Sequence, residues 1–270
     1  MNKVAVTLSL YKNDTISVVK ETMTSLFNQS HENFDIFVQC DGPISSDLER
    51  YFHALLLQNS IHSFQKYPQN MGLAYSLNEL IDRVLNLDYD YIFRMDADDI
   101  CTPDRIKHQL QYLNTHPEVD ILGGWIEEFN TDSGERQIIR YPQEHTNILH
   151  HMQKRNPMAH VSVAFRSSFF TRFGFYNPES KNEDFRLWVD AFKAGAIFHN
   201  LQEVLVKVRT NNAFYSRRKN KQRALEVMRI KFEATRLFGF GLKGYIYAVA
   251  HYLLFMSPGL VKQFIYKFFR

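Results

Sequence analysis

Short apolar runs alternate with amphipathic segments through about the first 120 residues, and this alternation limits what the chain can fold into. The run at 3–10 is apolar and rich in β-branched residues, which is typical of a strand. Val18, Met23 and Leu26 follow it at the spacing of one helical face. The pair of patterns recurs through residue 85, and another strand-like run covers 89–95. Such alternation predicts an α/β fold, with a Rossmann-like, mostly parallel central sheet flanked by helices.

Capping residues predict where two of these helices begin. Ser46 or Asp47 is expected to cap the helix that runs to residue 57. Thr102 is expected to cap the next long helix, with Pro103 at its first position and Asp104 in its first turn.

The alternation stops after about residue 120. Strand-like runs at 119–129 and 136–140 flank a polar turn at 130–135, which predicts a hairpin. Helical patterns return at 185–194 and 217–238. We therefore divide the chain into a domain at 1–215, with halves 1–118 and 119–215, and a helical, basic C-terminal extension at 216–270.

Composition excludes several classes of protein. With 45% hydrophobic and 23% charged residues, the chain is globular rather than disordered. Its two cysteines, Cys40 and Cys101, are too few for a disulfide scaffold or a four-cysteine zinc site. The N-terminal apolar run is too short for a signal peptide, so we expect a cytoplasmic protein.

Charge is distributed unevenly along the chain. Residues 205–270 contain fourteen Lys and Arg but only two acidic residues, whereas the remainder carries a net charge of −9. The apolar run at 245–256 is shorter than the ~20 residues that span a bilayer. Residues 259–270 then place apolar side chains at helical spacing among basic ones, which favours an interfacial helix on an anionic membrane surface.

Acidic residues follow two of the predicted strands. Asp96, Asp98 and Asp99 come directly after the strand at 89–95, and Asp41 follows the strand at 34–39. Ligands of open α/β sheets bind at the carboxyl ends of strands. Carboxylates this close together repel one another unless a cation lies beside them, and Asp-x-Asp suits a divalent ion shared with a diphosphate. A solvated acidic turn, and for Asp41 an ordinary turn residue, are the structural alternatives.

A glycine and an acidic pair are further candidates. Gly72 lies between a strand and a helix, where it lets a ligand approach the backbone or simply opens the helix. Glu183 and Asp184 begin a predicted helix, where the helix dipole favours negative charge. Alternatively, Asp184 is a general base beside an aromatic wall, because Trp188 lies one turn further on.

Four residues give weaker signals. His160 precedes an apolar strand, and a lone histidine is more often structural than catalytic. Tyr11 follows the first strand and could equally belong to the core. Arg217 and Arg218 could contact an anion or lie on a solvated helix face.

Taken together, these segments resemble family 2 inverting glycosyltransferases of the GT-A fold. The resemblance covers about residues 4–218 and rests on Asp41, Asn70-x-Gly72, the Asp-Ala-Asp-Asp cluster and Glu183-Asp184-x-x-x-Trp188. Segments 93–100 and 116–123 and Pro103-x-Arg105 are similar to the bacterial branch that builds O-antigen and exopolysaccharide repeat units. The sequence departs at Cys40-Asp41, where many relatives carry two adjacent acids. It also lacks Gln-x-x-Arg-Trp of processive synthases, which implies addition of one sugar.

The resemblance implies a nucleotide-binding half at 1–118, an acceptor half at 119–215 and a set of residue roles. Asp184, with Glu183 secondary, is implied as the base that deprotonates the acceptor. The other implied roles are nucleotide binding by Tyr11, Asp41, Gly72 and Asp96, binding of Mn²⁺ or Mg²⁺ by Asp98 and Asp96, and contact with the acceptor or diphosphate by His160, Trp188, Arg217 and Arg218.

The resemblance also implies substrates and a location. The expected donor is UDP-Gal, UDP-Glc or a UDP-N-acetylhexosamine, and the expected acceptor is an undecaprenyl-diphosphate-linked sugar used in lipopolysaccharide O-antigen synthesis. Such an enzyme would be peripheral on the inner face of the cell membrane.

Three other functions fit parts of the sequence. A nucleotidyltransferase would carry a Gly-rich loop after the first strand, but residues 10–14 contain no glycine. A haloacid-dehalogenase phosphatase needs its Asp-x-Asp on the first strand, whereas here it follows the fourth. A non-enzymatic nucleic-acid binder would use the basic extension, but it leaves the acids at the strand ends unexplained, so we expect no nucleic-acid partner.

Overall fold

The structure is a computed structural model that describes residues 2–211 and 220–257. The strands are β1 (Val4–Leu10), β2 (Asp35–Cys40), β3 (Ser63–Lys66), β4 (Tyr91–Asp96), β5 (Ile100–Cys101), β6 (Ile121–Asn130), β7 (Arg136–Ile139), β8 (Ala164–Arg166) and β9 (Phe198–Thr210). The α-helices are α1 (Ile16–Phe27), α2 (Ser46–Leu57), α3 (Leu73–Leu85), α4 (Arg105–Thr115), α5 (His145–Met152), α6 (Ser168–Phe173), α7 (Glu183–Lys193), α8 (Lys221–Phe238) and α9 (Gly241–Met256). A 3₁₀ turn covers His160–Ser162.

One mixed sheet joins the strands in the order β3-β2-β1-β4-β8-β6-β9-β5, with β7 paired to β6. The neighbours β3, β2, β1 and β4 are parallel, as strand–helix alternation predicts. Beyond β4 the sheet changes character, because β8 lies antiparallel between β4 and β6. The predicted hairpin is confirmed as β6 and β7. The α/β prediction is therefore confirmed, and the mostly parallel part of the sheet is its first half.

Apolar cores cover both faces of the sheet. Successive strand residues point to opposite faces, so Val6 and Phe93 enter one core whereas Ala5 and Ile92 enter the other. Strands buried on both faces read as continuous apolar runs, which is why β1 and β4 were evident in the sequence.

The helix predicted over 46–57 is confirmed as α2, but the caps predicted for two helices are wrong by one or two positions. Ser45, rather than Ser46 or Asp47, caps α2, and its hydroxyl accepts a hydrogen bond from the backbone N–H of Leu48 at 3.4 Å. Helix α4 begins at Arg105, not at Pro103. Thr102 is not its cap, because its N–H and its hydroxyl both donate to the carbonyl of Leu205 in β9 at 3.0 Å.

The described part of the C-terminal extension consists of α8 and α9, which pack closely against each other. Gly244 makes this approach close, because a Cβ at that position would lie 2.4 Å from Oγ1 of Thr235. Within residues 2–211 and 220–257, no helix is long and apolar enough to cross a bilayer. The predicted interfacial run at 259–270 lies outside the described residues, as do Arg217 and Arg218.

Candidate active site

A cleft of about 370 Å³ opens at the carboxyl ends of β1, β2 and β4. It brings together five of the residues predicted from the sequence, which come from four separate segments of the chain. Its lining residues are Ser9, Tyr11, Asp14, Asp41, Asn70, Gly72, Leu73, Asp96, Ala97 and Asp98.

Asp41 anchors the loop that forms one wall of the cleft. Its carboxylate accepts hydrogen bonds from the backbone N–H groups of Met71 at 2.6 Å and Gly72 at 3.0 Å, and from the amide of Asn70 at 2.8 Å. Gly42 is required beside it, because its φ is +88° and a Cβ would lie 2.8 Å from the backbone nitrogen of Asn70. The Asn70-x-Gly72 pattern is thus tied directly to the acid that ends β2.

Asp96 is paired with a buried arginine. Nη1 of Arg94 donates to Oδ2 of Asp96 at 2.7 Å, and Nη2 donates to Oδ1. Arg94 is only 4% exposed, whereas Asp96 borders the cleft. Such a fork fixes the orientation of a carboxylate and compensates its charge.

Asp98 is exposed in the cleft, whereas Asp99 is buried behind it. Loss of solvation and then the charge of Asp96 raise the pKa of Asp98 to about 6. Arg209 supports this turn from β9: its N–H donates to the Asp99 carboxylate at 2.8 Å and its Nε to the carbonyl of Asp98 at 3.1 Å. Within the described residues, no three His, Cys, Asp or Glu side chains form a metal-binding group.

Asp14 is a cleft residue that the sequence analysis missed. Its carboxylate accepts a hydrogen bond from the N–H of Tyr11 at 2.7 Å, which closes the turn after β1. Burial, together with the smaller effects of the charges of Asp98 and Asp96, raises the pKa of Asp14 to about 6. Its sequence signal was weak, because an acid three residues beyond Tyr11 is also an ordinary turn residue.

The predicted acidic pair occupies the first turn of α7. The amide of Asn156 donates to Oδ2 of Asp184 and so orients that carboxylate. Burial and the neighbouring Asp184 raise the pKa of Glu183 to about 7. The preceding residue, Asn182, donates to the carboxylate of Glu226 in α8 at 2.8 Å. The extension thus holds the start of the helix that carries the candidate base.

His160 lies next to buried aromatic rings. Its Nε2 is 2.7 Å from the hydroxyl of Tyr176, and its ring meets that of Trp188 edge to face at 5.9 Å. Burial and then Arg94 hold the pKa of His160 well below its ordinary value, so the ring is neutral. Trp188 is completely buried in the core, so the prediction that it forms an aromatic wall at the acceptor is wrong. It packs against Phe198, where β9 closes the core behind it.

Comparison with known proteins identifies the family of this chain. Residues 9–177 match the family model for glycosyl transferase family 2. The chain is 30% identical over 268 residues to the amylovoran biosynthesis glycosyltransferase AmsE of Erwinia amylovora, and the match covers 97% of each chain. It is 26% identical to the UDP-Gal:alpha-D-GlcNAc-diphosphoundecaprenol beta-1,3-galactosyltransferase of Escherichia coli, over 98% of this chain and 95% of that relative.

A solved structure has a similar fold. The mannosyltransferase PcManGT of Pyrobaculum calidifontis, in complex with GDP-Man and Mn²⁺, superposes with a TM-score of 0.65 at 11% identity, over 98% of this chain and 78% of that one. At this identity the likeness concerns the fold alone, whereas the sequence matches concern the family. The chain therefore has the GT-A fold and belongs to glycosyltransferase family 2, which makes it an enzyme of the transferase class.

Proposed function

We propose that the protein transfers one hexose from a UDP-sugar to a lipid-diphosphate-linked sugar during synthesis of a bacterial surface polysaccharide, with inversion at the anomeric carbon. The observation that carries this proposal is the single cleft that collects Tyr11, Asp41, Gly72, Asp96 and Asp98 at the strand ends. The names of the two curated relatives support the class of product and acceptor. Family membership favours this function over the nucleotidyltransferase, the phosphatase and the nucleic-acid binder.

The acidic turn fits a divalent cation that is shared with a diphosphate. Mg²⁺ and Mn²⁺ sites of this kind use one or two protein carboxylates and take their other ligands from phosphates and water. Asp98 is open to the cleft, and Asp96 borders it. Asp98, assisted by Asp96, would hold Mn²⁺ or Mg²⁺, and the bound metal would stabilise the charge of the departing diphosphate.

The residues of the cleft and those at or near the start of α7 have different roles in the proposed reaction. Tyr11, Asp41 and the backbone at Gly72 hold the nucleotide. Asp184 takes the proton of the acceptor hydroxyl, while the oxygen attacks the anomeric carbon from the face opposite the diphosphate. The bond to the diphosphate breaks as the new glycosidic bond forms, so the configuration inverts. His160 contacts the acceptor as a neutral ring.

Helix α9 suits an enzyme whose acceptor is lipid-linked. One stripe of this helix exposes large apolar side chains to solvent: Leu242, Ile246, Val249, Leu253 and Met256. Exposed Lys243 and Lys154 lie at or near this helix. We infer that α9 rests on the anionic inner face of the membrane, which would bring the cleft to the acceptor.

A screen of nucleotide-sugars tests the function directly. Purified protein, a synthetic lipid-diphosphate-linked sugar and each donor in turn should release UDP only with the cognate UDP-sugar. Excess EDTA should abolish the reaction, and so should Asp98→Asn, because both remove the bridging cation. Asp88→Asn is the matched control, since Asp88 is exposed and its φ of 56° suits asparagine. Turnover that persists in EDTA would contradict the metal requirement, and release of no UDP with any donor would contradict the function.

A further inference from the structure

Arg94 is a buried cation in β4, where its pairing with Asp96 is described above but no part in the reaction has been given to it. Its main chain is fixed on both sides: the N–H donates to the carbonyl of Val163 at 3.0 Å, and the carbonyl accepts from Nη2 of Arg105 at 2.8 Å. A buried charge is costly unless it is paired, so its presence calls for a partner. Asp96 supplies that partner through both Nη groups.

The guanidinium also acts on groups of the acceptor half. Its charge lowers the pKa of His160, in addition to the larger effect of burial. It also opposes the rise that burial causes in the pKa of Tyr176 and in that of Glu183. In the acidic turn after β4, it likewise opposes the rise that burial causes in the pKa of Asp99.

Arg94 therefore acts electrostatically on two groups of carboxylates. One group is the acidic turn after β4, and the other is the pair that begins α7. Two other arginines of the described residues each affect one of these groups. Arg209 of β9 opposes the rise in the pKa of Asp98, and Arg223 of α8 opposes the rise in the pKa of Glu183. Arg94 differs from both because its electrostatic effect reaches the two groups.

The hydrogen bonds of Arg94 are directed to one side. Both Nη groups are used by Asp96, whereas Nε is buried and has no partner within the described residues. The Tyr176–His160 pair nearby is itself held firmly, because Asn78 accepts from the N–H of Tyr176 at 3.0 Å and donates to its carbonyl at 2.8 Å. The guanidinium of Arg94 thus orients the carboxylate of Asp96, and its positive charge affects the pKa of His160 and that of Tyr176.

We propose that Arg94 is a positioning residue for both halves of the reaction, fixing the Asp96 carboxylate for the donor and placing a positive charge that acts on both the acidic turn and the acceptor side. This inference rests on the proposed function. Two properties of the Arg94 side chain can be separated. Its two hydrogen bonds orient Asp96, and its positive charge affects the acceptor-side groups. Lysine retains the charge but not the fork, and glutamine retains neither.

The test compares Arg94→Lys and Arg94→Gln in two measurements, the affinity for UDP in the presence of Mn²⁺ by calorimetry and kcat at saturating donor and acceptor. Arg94→Gln should lower both by about 10–100-fold, which is typical for residues that orient a ligand-binding group. Arg94→Lys should lose UDP affinity to the same extent but retain clearly more of kcat. Wild-type values for Arg94→Gln, or equal losses of kcat in both variants, would overturn the inference.

A matched control separates positioning from stability. Arg166 in β8 is also a strand arginine, but it donates to the carbonyls of Val119, Leu113 and His116, not to a cleft residue. Arg166→Gln should lower the thermal unfolding midpoint without changing UDP affinity in the protein that remains folded. A similar loss of UDP affinity in this control would show that the Arg94 effects are structural.

A double-mutant cycle tests whether Arg94 acts through Asp96. In the Asp96→Asn background, adding Arg94→Gln should change UDP affinity less than twofold, because the fork has already lost its carboxylate. Additive losses would overturn the inference and leave the proposed function standing. Conversely, UDP binding with the expected cycle but no sugar transfer would contradict only the proposed function. A wild-type protein that binds no UDP would contradict both.

Discussion

Neighbouring carboxyl groups in this protein differ in hydrogen bonding and burial, and these differences separate their roles. Glu183 and Asp184 are adjacent, yet Asn156 donates a hydrogen bond to Asp184, whereas burial raises the pKa of Glu183 to about 7. As the pH falls through 7, Glu183 takes up a proton and becomes neutral, whereas Asp184 is the carboxylate that a hydrogen bond orients. This difference favours Asp184 as the base.

The assignment can be checked from the pH dependence of turnover. Asp184→Asn should lower kcat by ~10²–10⁴-fold, the usual cost of losing a general base, while UDP affinity is retained. Glu183→Gln should retain most of the activity, because its side chain resembles the neutral form that Glu183 already adopts below pH 7. Wild-type kcat should accordingly persist below pH 7. A steep loss of kcat as the pH falls through 7, together with a large loss of kcat in Glu183→Gln, would instead identify Glu183 as the base.

How far the site could be predicted depends on whether each signal was local. Asp41, Asp96 and Asp98 were evident because acids that directly follow apolar strands must lie at the edge of a parallel sheet. Arg94 was not singled out, since a strand arginine shows its partner only when the fold is known. Trp188 was misplaced because its spacing from Asp184 indicates a shared helix face but not how deeply that face is buried.

At the scale of elements, α8 holds the helix of the candidate base in place. The carboxylate of Glu226 accepts hydrogen bonds from the hydroxyl of Ser180, the N–H of Lys181 and the amide of Asn182. Further along, Arg186 of α7 pairs with Glu233 of α8 at 2.6 Å. The extension therefore contacts the helix that carries the candidate base, although the basic composition of its sequence indicated only a surface function.

Loss of the Glu226 contacts should impair catalysis more than donor binding. Glu226→Ala leaves three donors without their acceptor, so the loop before α7 should shift and kcat should fall by about tenfold. UDP affinity should stay within twofold of the wild-type value, because no residue of this loop lines the cleft. Glu203→Ala, which removes a surface pair with His108, is the control. A loss of UDP affinity as large as the loss of kcat would contradict the proposal that donor binding and catalysis depend on separate groups of residues.

The packing of α8 is expected to make stability depend on pH. Lys231 is 3% exposed and donates to the carbonyls of Met152 and Gln153 at 3.0 and 2.9 Å, and burial lowers its pKa to about 7. Burial, followed by nearby positive charges, lowers the pKa of His151 and His251 to about 4. In each case the unfolded chain binds protons that the folded one releases, so stability rises with pH.

Two pH windows follow from these pKa values. Between about pH 4 and 6.5 the histidines contribute stability that is lost as the pH falls, and between about pH 7 and 10.5 the stability attributable to Lys231 rises with pH. Chemical denaturation of Lys231→Met should remove the upper slope and keep the lower one. If the upper slope survives in Lys231→Met, the buried amine is not its cause.

How well each part of the fold could be predicted depends on how far apart in the sequence its paired strands lie. The first half of the sheet was predicted correctly because each strand pairs in parallel across a helix, and this arrangement has a local signature. The insertion of β8 between β4 and β6 has none, since it depends on pairing Phe165 with Ile92 and Ile121, which lie more than forty residues away in the chain. Local periodicity does not reveal such partners.

We predict that the exposed stripe of α9 orients the whole molecule on a lipid surface. Leu242 and Leu253 are 75% and 61% exposed, and a helix with such a stripe and flanking lysines is typical of interfacial binding. Each basic residue near an anionic surface contributes about 1 kcal/mol, and salt weakens this attraction. The protein should therefore float with vesicles of phosphatidylglycerol and phosphatidylethanolamine at low salt, and less so at high salt or with phosphatidylcholine alone.

Variants of the stripe distinguish binding to a membrane from binding to another protein chain. Ile246→Glu combined with Leu253→Glu should abolish flotation and retain UDP affinity, because both side chains are exposed and neither lines the cleft. Leu57→Glu is the control, since Leu57 is 84% exposed on α2, outside the extension. Truncation after Gly241 should also abolish flotation, because it removes the stripe together with residues 259–270. Full-length protein that stays out of anionic vesicles even at low salt would show that the stripe is an interface between protein chains, and its molar mass in solution should then fall in the double variant.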